Sequence, residues 1–285
     1  METIDTSIVC GVVLYETPPE DVRRLAHAIR VAGEIAGVGC RLAAIDNSGR
    51  ETDTSFAEAT SGSAGARLQA HEGNIGFGRG HNRMMETAFA DAADYYVLCN
   101  PDGFLHPNAI KALVSRSAEF DEFALVEARQ FPNEHPKIYD FATLKTPWCS
   151  GGCLLVPKRL HAEIGGFDDG FFMYCEDVDY SWRARLAGAS CVMAPDAFFF
   201  HDALDRPKSD FARWHMALSM RRLLSKWMAG IVPRPLTRSV TEMLSDAPDE
   251  ALRIGSQPGE PIDHPRRGDV ANFRHYFGFA PFRWT

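Results

Sequence analysis

The sequence predicts an α/β protein, a single Rossmann-like domain with a mostly parallel mixed sheet and a helical C-terminal extension. Three observations carry that expectation. A compact apolar run, Ser7 to Tyr15, has the composition of a strand buried on both sides. A helical pattern and a second strand follow at once, and strand, helix, strand in that order opens a parallel sheet. The chain has 285 residues and is 45% hydrophobic, which allows one large domain with a substantial core.

Thr17 to Asp21 opens the first helix, with Pro18 or Pro19 in its first turn. Val22, Leu25, Ala26, Ile29 and Ala32 give that helix its apolar face. Arg41 to Asp46 is the next strand, and Glu51 to Ala66 is a polar connection with a single helical turn. Arg67 to His71 reads as a short strand leading into Gly73 to Asn82, a glycine-rich segment ahead of a helix from Met84 to Ala92. Neither a dinucleotide fingerprint nor a Walker lysine motif is met there. Asp94 to Asn100 is a strand stopped by Pro101. Asn108 to Ala118 is helical, Phe123 to Ala128 is a strand, and Arg129 to Thr146 is an irregular surface loop. After Pro147 the chain passes through a pair of glycines into an apolar strand, then a short helix from Lys158 to Ile164. Ala189 to Met193 is a strand interrupted at Pro195, ahead of Phe198, Phe199, Phe200 and His201. Residues 1–205 form the predicted domain and 206–285 the extension, whose strongest helix runs from Ser209 to Ile231.

The net charge of −8 argues against nucleic acid held by broad electrostatic attraction. Seven cysteines, odd in number and scattered, fit reduced thiols better than a disulfide framework or a zinc site. The polar start, Met1 to Ser7, is not a secretory signal. No apolar run approaches the roughly 20 residues that span a bilayer. A cytoplasmic protein is expected. Arg213, Arg221, Arg222, Lys226, Arg234 and Arg238 occur with no acid among them, which suits contact with an anionic membrane or substrate. The apolar face of the same segment, Met216, Met220, Leu223, Trp227 and Ile231, can equally cover the sheet. The aromatic end, Phe273 to Trp284, reads as a final packing cap or as a contact with a membrane or a second copy in a homo-oligomer.

Candidate site residues fall at predicted strand ends. Asp46, Asn47 and Ser48 follow the second strand, where ligands of open parallel sheets gather, although the same types also make turns. Asp102 follows Asn100 and Pro101, and its carboxylate can hold a divalent ion or cap the next turn. Gly151 and Gly152 allow backbone to approach a bound group. His201 can complete an oxygen-rich metal site or pair with a carboxylate. The stretch from Ile164 to Arg185 sets Glu176, Asp177 and Asp179 in the first turn of a helix, where unpaired N–H groups and the helix dipole tolerate negative charge. Val178, Trp182 and Leu186 form the packed face, so Asp177 turns away from it. The plainer reading is an acidic helix start with Asp179 and Arg183 paired at i, i+4.

Taken together and in order, these segments resemble the family 2 glycosyltransferases of the GT-A fold, particularly rhamnosyltransferase-like and galactofuranosyltransferase-like enzymes. The resemblance runs from about Ile8 to His201 and is carried by the strand ending at Tyr15, Asp46-Asn-Ser, Asn74-x-Gly-Phe-Gly-x-Gly-His-Asn, Asn100-Pro-Asp, Ser150-Gly-Gly and the Gly165 to Arg183 stretch. It implies a nucleotide-sugar donor at the strand ends, in contact with Tyr15, Asp46, Asn47, Asn74, Gly76, Phe77, Gly78, Asn82, Asn100 and Asp102. It also implies Mg²⁺ or Mn²⁺ on the donor diphosphate, held by Asp102 and His201. Asp102 matches the last acid of the family's D-x-D element, whose first acid is absent from Asn100-Pro-Asp. Asp177 matches the catalytic base, and Glu176, Trp148, Ser150, Gly151 and Gly152 surround the acceptor.

The function so implied is inverting, metal-dependent transfer to a hydroxyl of a bacterial surface polysaccharide or lipid-linked glycan, at the inner face of the cell membrane. The implied donor is dTDP-rhamnose first and UDP-galactofuranose second. Two alternatives stand beside it: a nucleotidyltransferase, and a catalytically silent carbohydrate-binding or scaffold protein, which the missing first acid motivates. The helix start lowers the pKa of Asp177 and its acidic neighbours raise it, so the sequence leaves the net direction open.

Overall fold

The computed structural model describes residues 6–49, 53–61, 65–69, 73–132, 134, 137–140, 142–201, 209–229 and 234–271. Its first strand, β1 (Ser7–Leu14), is buried almost throughout. α1 (Pro19–Ala36) buries the predicted face from Val22 to Ala32 and ends at Gly37, whose φ of 69° suits the left-handed cap that glycine supplies. β2 (Gly39–Asp46), α2 (Asp53–Ala59), β3 (Arg67–Gln69), α3 (Phe77–Ala90) and β4 (Tyr95–Cys99) complete the first half of the fold. β1, β2, β3 and β4 are parallel, as the opening pattern predicts.

The second half mixes strand directions. β5 (Gly103–Leu105), α4 (Ala109–Ala118), β6 (Ala124–Pro132), β7 (Cys153–Pro157), α5 (Lys158–Ile164), α6 (Glu176–Leu186) and β8 (Ser190–His201) follow in sequence. The eight strands lie in the order β3-β2-β1-β4-β7-β6-β8-β5. β7 runs antiparallel to both β4 and β6, β6 and β8 are parallel, and β5 is antiparallel to β8. Apolar side chains of α1, α2 and α4 cover one sheet face, while those of α3, α5 and α6 cover the other. The result is a mixed, largely parallel sheet between helical layers, a GT-A-like Rossmannoid fold.

Four local expectations are corrected. α3 starts at Phe77 rather than Met84, so Gly78 and Gly80 are helical. They are small because the helix presses on its neighbours: a Cβ on Gly80 would lie 2.8 Å from Val13 Cγ2, and one on Gly78 3.2 Å from Phe167. Pro195 does not end its strand. β8 continues past it through an irregularity in which Ala128 pairs with Ala194 but Arg129 pairs with Phe198, and a bulge of this kind tolerates a residue without an N–H. The span from Arg129 to Thr146 is not simply a surface loop, because its start extends β6 and Lys137, Tyr139 and Thr146 are buried. The short strand β5 was not expected.

The C-terminal helices are α7 (Asp210–Trp227), α8 (Arg234–Met243), α9 (Asp249–Ile254) and α10 (Arg267–Val270), of which α7, α8 and α10 share a third core with the outer face of α6. Ser209 caps α7 by accepting from the Ala212 N–H, as N-cap serines do. Trp182 of α6 and Trp227 of α7 meet edge to face, with ring centroids 5.4 Å apart. The apolar face of α7 thus covers α6 through Leu223 and Trp227, with Met216 and Met220 partly buried beside them. Ile231 and the aromatic end lie outside the described residues. All seven cysteines are free thiols, and among the described residues no helix is long and apolar enough to cross a membrane.

Gly76, just before α3, has φ 88° and ψ 175°, a region open essentially to glycine alone. A Cβ there would lie 2.2 Å from the Phe172 carbonyl oxygen. Gly76→Ala is therefore expected to cost at least about 3 kcal/mol, read as a lowered urea midpoint with unchanged slope.

Candidate active site

The parallel strands β1, β2 and β4 deliver their carboxyl ends to one edge of the sheet, and the candidate donor residues cluster there. Asn47 N–H donates to Leu14 O at 2.8 Å, closing the gap between β1 and β2. Asp46 is buried and its Oδ1 accepts from Ser48 N–H at 2.7 Å. Tyr15 is 55% exposed at the same edge. The buried Asn47 amide donates to Gly76 O at 3.1 Å, and Asn74 Oδ1 accepts from Gly76 N–H at 2.9 Å. Both asparagines therefore shape the turn that leads into α3. Asn82 is engaged elsewhere: its amide accepts from Phe167 N–H at 2.7 Å and donates to Phe167 O and Asp169 Oδ1.

The segments that the resemblance assigns to an acceptor converge on the start of α6. A Cβ on Gly151 would sit 3.4 Å from the Phe77 ring and 3.5 Å from Asp177 Cβ, so bare backbone separates the two side chains. Gly151 N–H donates to Asp177 Oδ2 at 2.9 Å, and Val178 N–H to Asp177 Oδ1 at 2.8 Å. Ser181 Oγ donates to Asp177 O at 2.7 Å and accepts from Cys149 N–H at 2.9 Å, which ties the same loop to the helix. The two residues ahead of α6, Tyr174 and Cys175, have φ of 68° and 63°. Neither is glycine, and such conformations persist only where surroundings enforce them.

The three acids of this turn live differently. Asp179 is fully buried and meets Arg183 at 3.0 Å, Lys226 at 2.6 Å and Trp227 Nε1 at 2.8 Å. The i, i+4 pair read from sequence is thus one side of a larger network. Glu176 is buried with no hydrogen-bond partner on Oε2. Burial, compounded by the neighbouring Asp177 charge, raises its pKa to about 8. Asp177 is only partly buried by surface, yet its desolvation outweighs the Gly151 and Val178 N–H donors and leaves its pKa raised. The direction left open by the sequence is therefore upward, which favours a general base.

Asn100, Asp102 and His201 also come together. Gly103 pairs with His201 across β5 and β8, which sets Asp102 Oδ1 3.1 Å from His201 Nε2. Asn100 Nδ2 lies 3.3 Å from the same ring nitrogen, and its backbone N–H donates to Gly152 O at 2.9 Å. Among the described residues no group of three His, Cys, Asp or Glu side chains surrounds one point. One carboxylate and one imidazole fit a small divalent cation that takes its other ligands from a diphosphate and water.

Sequence reasoning missed the groups behind this site. Glu127 and Lys137 form a buried ion pair; Tyr139 OH donates to Glu127 at 2.5 Å, and Ser150 N–H donates to it at 2.7 Å. Lys137 also donates to Trp148 O at 2.8 Å and lies 4.3 Å from the Trp148 ring centroid, so one ammonium group holds both the backbone and the ring of the half-buried Trp148. Gln130 joins Ser150 to His201. Polar residues inside the apolar β6 pattern were a signal for Glu127 and Gln130; nothing local marks Lys137. Two members of the basic segment are engaged inward: Arg222 meets Asp168 through two 2.9 Å contacts and Lys226 meets it at 2.7 Å. Although burial opposes the charge, Lys226, the Gly170 N–H and Arg222 hold the Asp168 pKa down to about 2.

The fold and the strand-edge site define a GT-A-like α/β protein with a paired-acid helix start and an Asp–His corner. No family model matches the chain. It is 25% identical over 189 residues to the rhamnosyltransferase WbbL of Escherichia coli (strain K12), across 53% of this chain and 71% of that protein. It is 28% identical over 178 residues to an N-acetylglucosaminyl-diphospho-decaprenol L-rhamnosyltransferase of Mycobacterium tuberculosis (strain CDC 1551 / Oshkosh), across 47% of this chain and 58% of that protein. Among solved structures, the mannosyltransferase PcManGT from Pyrobaculum calidifontis, in complex with GDP-Man and Mn²⁺, aligns with a TM-score of 0.60 at 13% identity, over 88% of this chain and 73% of its own. GalNAc-T7 with UDP, GalNAc and Mn²⁺ aligns with a TM-score of 0.57 at 11% identity, over 92% of this chain and 60% of its own.

The Glu176 shift carries a stability consequence with a definite sign. A carboxyl whose folded pKa lies above its unfolded value of 4.5 contributes stability below pH 4.5, and that contribution is lost as pH rises toward about 8. Glu176→Gln is expected to flatten this decline, and comparing urea midpoints of both proteins at pH 5 and pH 9 checks it.

Proposed function

We propose that this chain is an inverting glycosyltransferase that moves a sugar from a nucleoside-diphosphate donor to a hydroxyl of a glycan or lipid-linked acceptor. The observation that carries the reading is the placement of Asp177. Its carboxylate is aimed by the Gly151 N–H, sits across that glycine from Phe77 at the start of α3, and has a raised pKa. The likeness to two rhamnosyltransferases favours rhamnose as the transferred sugar and dTDP-rhamnose as donor, ahead of UDP-galactofuranose.

In this reading the donor lies along the strand edge from Tyr15 and Asp46 to Asn100 and Asp102. Asp102 and His201 would hold Mg²⁺ or Mn²⁺, which supplies charge neutralisation for a leaving diphosphate. Asp177 removes the proton from the acceptor hydroxyl as that oxygen bonds to the anomeric carbon. The anomeric carbon–oxygen bond to the diphosphate breaks at the same time, its electron pair leaving on the nucleoside diphosphate. Attack opposite the leaving group inverts the anomeric centre. The Ser150–Gly152 turn and Trp148 border the acceptor, and Glu176 shapes the floor beneath it.

Asp177→Asn keeps size and can still accept one of the two N–H donors on its single amide oxygen, but it cannot take a proton. It is expected to lower kcat by about 10²- to 10⁴-fold while the thermal shift produced by dTDP-rhamnose with Mn²⁺ stays at the wild-type value. Unchanged turnover in that variant would sink the base assignment, and a wild-type chain stabilised by neither dTDP- nor UDP-sugars would sink the reading.

A further inference from the structure

Gln130 lies near the end of β6, is 6% exposed, and spends its whole amide on two groups. Nε2 donates to Ser150 Oγ at 2.9 Å, and Oε1 faces His201 Nδ1 at 3.1 Å. An amide oxygen only accepts, so this contact requires the hydrogen on Nδ1. Asn100 gives an independent reason for the same tautomer: its Nδ2, a donor, lies 3.3 Å from His201 Nε2, and a donor there needs a ring nitrogen with a free lone pair. Nε2 then has no hydrogen to give the Asp102 carboxylate at 3.1 Å. The two acceptors make a poor hydrogen bond for each other, and a cation between them would take the lone pair in place of the Asn100 donor.

The other end of the same amide reaches the base. Ser150 Oγ also accepts from Gly152 N–H at 3.3 Å, and the intervening Gly151 N–H holds Asp177. Gly152 is bare on the Gln130 side, where a Cβ would lie 2.9 Å from Gln130 Nε2. The glutamine therefore packs on the turn as well as bonding to it.

We propose that Gln130 is a positioning residue that fixes the His201 tautomer on the donor side and holds the Ser150–Gly152 turn against Asp177 on the acceptor side. Its catalytic consequence rests on the transferase reading, whereas the tautomer assignment does not. A group that orients a metal-binding imidazole through its other ring nitrogen changes metal affinity by about 10- to 100-fold when removed.

The test uses the full chain labelled with ¹⁵N-histidine at pH 8, with His201→Asn to assign the resonance. In the wild type His201 is expected as the neutral Nδ1–H tautomer. Gln130→Met, similar in size but unable to accept or donate in this way, is expected to lose that preference. It should also weaken Mn²⁺-dependent dTDP or UDP binding by about 10- to 100-fold in calorimetry. Gln130→Glu, which still accepts from Nδ1–H, is expected to keep the tautomer and recover most of the Mn²⁺ affinity. A wild-type His201 carrying its hydrogen on Nε2, or on both nitrogens, overturns the proposal. So does a folded Gln130→Met that binds Mn²⁺ and diphosphate as tightly as wild type. If Gln130→Met does not fold, the wild-type and Gln130→Glu spectra decide. If the wild type binds neither diphosphate with Mn²⁺, the transferase reading fails and the spectra alone judge Gln130.

Discussion

Three carboxylates are forced into the first turn of one helix, and the site half of the molecule is arranged around the cost of burying them. A helix N-terminus offsets only part of such a charge, and a buried acid without partners neutralises itself or destabilises the fold. Each acid of α6 meets this constraint differently. Asp179 takes Arg183, Lys226 and the Trp227 indole, Asp177 takes two backbone N–H groups, and Glu176 leaves one oxygen unpartnered. The graded supply of partners separates a fixed charge from a group able to exchange a proton.

That supply explains the placement of the C-terminal helices. Lys226 and Trp227 both come from α7, and Arg222 of the same helix secures Asp168 in the loop before α6. Arg183 adds bonds to Ile164 O and Gly166 O, closing the loop onto the helix. The extension thus furnishes countercharge as well as apolar cover. Breaking such a buried network by deleting one partner is far more costly than its net contribution suggests. The positive φ of Tyr174 and Cys175 is held in the same frame, between a loop fixed by Asp168 and a helix fixed by Asp179.

Local patterns made much of this legible. The faces of α1 and α6, the limits of α5, and the position of Asp46, Asn100 and Asp102 at strand ends all follow from periodicity and turn chemistry, which act over a few residues. Long-range pairing leaves no such local mark. The basic segment looked available for an anionic surface because no acid occurs within it, yet Lys226 meets Asp168 and Asp179, more than forty residues earlier in the chain. Lys137 sits in a stretch with every local mark of a surface loop and is buried against Glu127 and Trp148. The glycines after Asn74 signalled backbone freedom, but only Gly76 uses a left-handed conformation; Gly78 and Gly80 instead let a helix approach the sheet closely.

The reversal of the sheet after β4 gives the site its two sides. Parallel β1, β2 and β4 place polar turns at their carboxyl ends, the general location for a ligand of an open sheet. β7 then runs the other way beside β4, so the Ser150–Gly152 turn enters at the edge where β4 ends, and Asn100 N–H donates to Gly152 O across that junction. β6 and β8, parallel to each other, carry Glu127, Gln130 and His201 to the same edge. In the proposed transfer the acceptor hydroxyl must reach the anomeric carbon of the donor sugar while its proton passes to Asp177. The strand reversal brings the Asp102–His201 corner and the turn that holds the Asp177 carboxylate to one edge from opposite chain directions, with the neutral Gln130 amide joining His201 to Ser150.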